Sequence, residues 1–163
     1  MARITFKDGD EYADRLLRLA SGSEEVAKKA IYAGAKIVTD KVRANLEALP
    51  EESFRRLRGE DSFSGLPEAH KEDLMVSFGI TPITEDRSGF WNAKIGFDGY
   101  GRFPTKTYPH GLPNQLLARA IESGSSVRQK RPFVAPAVRA TRKAAVEAMG
   151  RVLDEEIKKN MKG

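Results

Sequence analysis

The chain has 163 residues, of which 40% are apolar and 31% charged, with a formal net charge of +5. That size and composition predict a single domain, 1–163, able to bury a core without covalent staples. No cysteine and only two histidines exclude a disulfide framework, a thiolate metal centre and a cysteine nucleophile, and no cofactor is expected. No run approaches the roughly eighteen apolar residues needed to cross a bilayer, and Met1–Asp8 lacks the apolar core of a signal peptide, so membrane insertion and secretion are not expected.

Asp8 and Glu11 have the spacing of a capping box, predicting a short helix over 9–19 with Tyr12, Leu16 and Leu19 on one face, closed near Gly22. Ser23 opens the strongest helical pattern, in which Ala27, Ile31, Gly34, Val38, Val42, Leu46 and Leu49 form one stripe that Pro50 ends. Ala30, Ala33, Gly34 and Ala35 allow another element to approach closely. Ordinary core packing is favoured there over a subunit contact.

From 51 to 73 the composition turns charged and broken, predicting a flexible segment. Leu74, Val76, Phe78 and Ile80 then alternate as in a half-buried strand. Thr84–Gly89 has turn chemistry, and Phe90–Phe97 gives a second strand, so an antiparallel hairpin is expected. A long loop, 99–113, carries Tyr100, Phe103 and Tyr108, aromatics suited to insertion into an interface. Asn114 is placed to cap a helix over 115–123 with Leu116, Leu117, Ala120 and Ile121 as its apolar face. A last helix is expected from about Pro136 to Asn160, with Val138, Ala145, Met149, Val152, Leu153 and Ile157 at helical spacing. The predicted class is α+β, long N-terminal and C-terminal helices packed on a small antiparallel sheet.

Charge is unevenly placed. Residues 1–100 hold 15 basic and 18 acidic residues, whereas 101–163 hold 13 and 5. No acidic residue falls between Ser123 and Val146, a stretch containing Arg128, Lys130, Arg131, Arg139, Arg142 and Lys143. These form either a solvated face or a docking surface for a partner. Phe133 is the only aromatic in that window, which argues against sequence-specific nucleic-acid recognition.

No nucleophile elbow, zinc-binding helix motif, phosphate loop or dinucleotide fingerprint occurs. Gly96–Gly101 has its glycines in the wrong order for a dinucleotide loop and reads as a hairpin exit. His70 and His110 are both expected to be solvated. Glu24–Glu25, Glu51–Glu52 and Asp154–Glu156 read as surface charges, because an acid–base pair needs a buried carboxylate.

The segment Gln115–Ser125, with its Glu122-Ser123-Gly124-Ser125 step, and the step Pro132-Phe133-Val134-Ala135-Pro136-Ala137 together resemble the gene-ten-like neck and tail-completion proteins of lambdoid long-tailed bacteriophages. Members carry a Glu-x-Gly-Thr step, here with Ser125 in place of Thr, and a Pro-Phe-x-x-Pro-Ala step opening the final helix. The order of elements agrees over most of the chain. In such a motif Gly124 supplies a turn, Pro132 and Pro136 fix the backbone, and Phe133 anchors the last helix in the core. The resemblance implies a non-enzymatic virion protein, assembled in the bacterial host cytoplasm as a homo-oligomeric ring at the head–tail junction. Implied partners are further copies and neighbouring connector, tail-terminator or tail-tube proteins, with at most weak non-specific DNA contact. The alternatives are a nucleic-acid-binding module using the 128–143 stretch and, behind it, a small hydrolase using His110.

Overall fold

The computed structural model describes residues 22–162; the capping box and short helix expected within 1–21 lie outside the described residues. Two long helices frame the fold, α1 (Ser23–Glu47) and α4 (Val134–Lys162), with α2 (Glu68–Ser77) and α3 (Asn114–Ser123) between them. Glu24 and Glu25 complement the dipole at the start of α1, and the Lys28–Glu24 and Lys36–Asp40 pairs brace its exposed side. The helix stops three residues before Pro50.

The long helices run antiparallel. Lys29 pairs with Glu156, and Asn45 Nδ2 donates to the Phe133 carbonyl. Between these ends, a Cβ on Gly34 would lie 2.7 Å from Cγ and Sδ of Met149 and 3.3 Å from the Ala145 carbonyl oxygen. The small residues of α1 therefore receive α4 of the same chain. This close approach also sets which side of α4 is buried: Ala137, Thr141, Ala145 and Ala148 face inward. Val138, Leu153 and Ile157, expected on the core face, are instead exposed.

The antiparallel sheet is small. β1 (Phe78–Ile80) pairs with β4 (Ile95–Phe97) in the register Phe78↔Phe97, Gly79↔Gly96, Ile80↔Ile95. Towards the tip, β2 (Thr84–Glu85) pairs with β3 (Trp91–Asn92). The first strand is shorter than its alternation predicted, because Leu74–Ser77 is the last turn of α2. Leu74 and Phe78 are buried at a four-residue spacing that suits a helical exit as well as a strand, whereas Val76 is 88% exposed. The second strand is interrupted between Asn92 and Ile95, and Phe90 is exposed. Val42 and Leu46 of α1, Leu74 of α2, Phe78 of β1, Leu117 and Ile121 of α3, and Phe133 and Ala137 of α4 meet in one core.

The 51–73 segment comprises a loop and the start of α2, a helix that begins after Pro67, whose carbonyl accepts from the His70 and Lys71 amides. The loop folds around Glu52. Its carboxylate accepts from the amides of Ser64 at 2.7 Å and Gly65 at 2.9 Å, and Leu66 enters the core. The Asn114 side chain does not cap α3; it is buried and donates from Nδ2 to the Asp98 carbonyl.

Candidate interaction surfaces

Glu122 joins the two halves of the motif. It lies in the last turn of α3, and its carboxylate accepts from the backbone amides of Phe133 at 2.7 Å, Val134 at 2.9 Å and Ala135 at 2.8 Å. Amides at a helix start lack acceptors within the helix, and the dipole there favours an anion. Gly124 follows at φ +79°, where a Cβ would lie 3.2 Å from Lys130. That turn brings the Arg131 amide to the Ile121 carbonyl at 2.8 Å. Phe133 is 1% exposed and meets Phe97 edge-on at 6.0 Å. Pro132 is exposed and Pro136 half-buried in the first turn of α4. The motif thus joins α3, the start of α4 and the hairpin.

The basic stretch divides in two. Arg128, expected on a docking surface, is only 9% exposed; its Nη1 donates to the Gly65 carbonyl at 2.6 Å, and its guanidinium lies 5.8 Å over Phe63. It is a structural residue that fastens the Glu52 loop, because the turn after Gly124 directs it inward. Arg131 is exposed but donates from Nε to the Ser64 carbonyl at 3.1 Å. Lys130, Arg139, Arg142 and Lys143 are exposed, with Lys143 4.0 Å from Glu147.

The 99–113 loop doubles back on itself, the Gly101 amide donating to the Leu112 carbonyl at 2.8 Å. Its base is fastened to α2: Arg102 donates from Nε to Asp73 at 2.8 Å and from Nη2 to Glu72 at 3.0 Å. Phe103 stacks on His70, so that aromatic contacts its own domain; Tyr108 is half-buried and Tyr100 exposed. His70 corrects its expected solvation, being 6% exposed with Nε2 buried and lacking a hydrogen-bond partner. Burial pushes its pKa down. His110 is exposed on the loop.

An open groove of about 450 Å³ lies where α1, β4, α3 and α4 converge, its apolar lining including Val38, Ile95, Phe97, Ala118 and Val138. Among the described residues no group of three or more acidic or histidine side chains is placed to hold a metal, and no helix is long and apolar enough to cross a membrane.

Sequence reasoning missed Glu52 and Asp73 as organisers. The Gly65 and Ser64 amides hold the Glu52 carboxyl below its usual range. Ser64-Gly65 marks a turn in the sequence but carries no sign of the acid twelve residues earlier that binds it. No protein-family model, curated protein or solved structure matches this chain.

Proposed function

We propose that this chain is a non-enzymatic structural subunit of a bacteriophage virion, a neck or tail-completion component that binds its neighbours at the head–tail junction. The reading starts from the resemblance carried by Glu122–Ser125 and Pro132–Ala137. The observation that supports it most is the Glu122 carboxylate on the amides of Phe133, Val134 and Ala135. The residues that carry the resemblance form one architectural joint, which suits a subunit whose task is to hold a shape and present surfaces. Exposed Tyr100, the apolar groove and the exposed cations of α4 are surfaces on which such a subunit can meet further copies, a connector, a tail terminator or a tail tube.

Deleting the gene from the phage genome that encodes it is the direct test. Electron microscopy is expected to show filled heads and tails that are unjoined or incomplete, and the chain is expected in purified wild-type particles by mass spectrometry. Normal infectious particles without the chain would overturn the reading. The exposed Lys130, Arg139, Arg142 and Lys143 favour a second reading, a nucleic-acid-binding module. Tight duplex binding with a steep salt dependence, alongside normal particle assembly, would put that reading first.

A further inference from the structure

We propose that copies of this chain associate head to tail, the basic start of α4 in one copy seating in an acidic groove beside α2 of the next. The setting rests on the structural-subunit reading; the surfaces themselves are argued from charge and shape.

The groove, about 460 Å³, lies between the end of α1, the outer side of α2 and the base of the 99–113 loop. Glu47, Glu51, Glu68 and Glu72 all line it, and all four are exposed. Two cations also belong to it, but each is engaged. Lys71 donates to the carbonyls of Glu47 and Leu49 and pairs with Glu51, while Arg102 pairs with Asp73 and Glu72. Glu47 and Glu68 form no ion pair among the described residues, so the groove keeps a surplus of negative charge. Between its carboxylates lie half-buried Met75 and Val76, the most exposed large apolar side chain among the described residues.

The start of α4 presents the converse pattern. Val138 and Val146 are exposed, eight residues and about 12 Å apart along the helix. Exposed Arg139, Arg142 and Lys143 lie between them; Lys143 is 4.0 Å from exposed Glu147, whereas Arg139 and Arg142 form no ion pair among the described residues. An apolar pair flanked by cations therefore matches a projecting Val76 and half-buried Met75 flanked by carboxylates, the arrangement that steers association and fixes register.

The two surfaces do not meet within one copy. α2 and α4 each pack on α1, and no ion pair joins the two patches among the described residues. A complementary pair that one copy cannot close is closed between copies, and a knob and groove at different places on one chain make a heterologous contact that repeats as a ring or filament. A nucleic acid would engage only the basic half and leave the carboxylate groove and Val76 unmatched.

Charge reversal in the full chain tests this, read by sedimentation at low and high salt. Wild-type protein is expected to self-associate, more weakly as salt rises. Glu47→Lys with Glu68→Lys, and separately Arg139→Glu with Arg142→Glu, should each weaken self-association by about tenfold or more at low salt. Mixing the two variants should restore it, because each then offers the charge the other needs. Thermal midpoints near that of wild type establish that the variants fold; if a reversal unfolds the chain, the Gln versions of the same pairs should weaken association in the same order. A wild type that stays monomeric, variants that associate like wild type, or a mixture of folded variants that fails to recover would each overturn the inference. Duplex binding without self-association would do so in favour of nucleic acid. Variants that assemble normally sink these surfaces and leave the virion reading standing. Particles that assemble without the chain sink that reading and leave the sedimentation result to be judged separately.

Discussion

The imidazole of His70 lies face to face with the ring of Phe103, centroids 5.0 Å apart and planes 14° from parallel. Phe54 meets the same imidazole edge-on at 5.1 Å, and Phe63 meets Phe54 at 5.6 Å. Rings from α2, the Glu52 loop and the 99–113 loop thereby form one continuous set of contacts. Together with the Arg102–Asp73 bond, they fasten the aromatic loop onto its own chain, with Tyr100 exposed and Phe103 still 42% exposed beside the His70 ring.

That setting predicts a pH dependence. Burial is the main cause lowering the His70 pKa; Asp73 opposes the shift, and Arg128 and Arg102 add to it. An unfolded histidine takes up a proton near about pH 6.5, so below that pH the unfolded chain binds more protons than the folded one. Stability is therefore expected to fall as pH drops from about 6.5 towards the lower folded value. Urea midpoints measured from about pH 7.5 to about pH 5 should decline, and His70→Phe should flatten the decline over that window. An unchanged slope in the variant would assign the dependence to other groups.

Glu122→Ala strips the acceptor from three amides at the start of α4. A loss of roughly 1–3 kcal/mol in urea denaturation is expected, with a smaller loss for Glu122→Gln, which keeps an acceptor oxygen. Equal losses for the two variants would mean that the negative charge, not the hydrogen bonds, does most of the stabilising.

Phe133→Ala should cost about 3–5 kcal/mol, the range for deleting a large buried aromatic. The side chain is almost fully enclosed and touches Phe97. A loss under about 1 kcal/mol would show that the pocket collapses around the gap.

Two neighbouring cations should respond differently. Arg128→Ala leaves the Gly65 carbonyl without its donor and should cost about 1–3 kcal/mol, whereas Lys130→Ala at an exposed site should stay within about 0.5 kcal/mol. Equal effects would contradict the division of the basic stretch.

Gly111 has φ +113°, and a Cβ there would lie 2.0 Å from the Gly101 carbonyl oxygen. Gly111→Ala should force the loop open at a cost of about 1–3 kcal/mol. Hydrogen exchange at the Gly101 amide, which donates to Leu112, should accelerate while amides in α1 remain protected. Unchanged protection at Gly101 would show that the loop accommodates the methyl group.

The α+β class, the positions of α1, α3 and α4, and the antiparallel hairpin were legible in the sequence because they depend on short-range signals: apolar residues three or four apart, Pro50 after a helical stripe, turn residues between alternating runs. The same local signals failed where two periods coincide. Leu74 and Phe78 satisfy a two-residue alternation and a four-residue helical step alike, and the exposure of Val76 decided for the helix. The buried face of α4 was legible only in part: Ala145 and Met149 do face α1, but Val138, Leu153 and Ile157 do not, because the close approach of Gly34 to Met149 and Ala145 lies in the pairing of two distant segments. Arg128 was expected on a docking surface and His70 in solvent because charge and polarity predict exposure on average. Only the tertiary structure brought the Gly65 carbonyl to one and the Phe103 ring to the other. A buried polar group depends on partners supplied by other segments, and that information does not reside in its own neighbourhood of the chain.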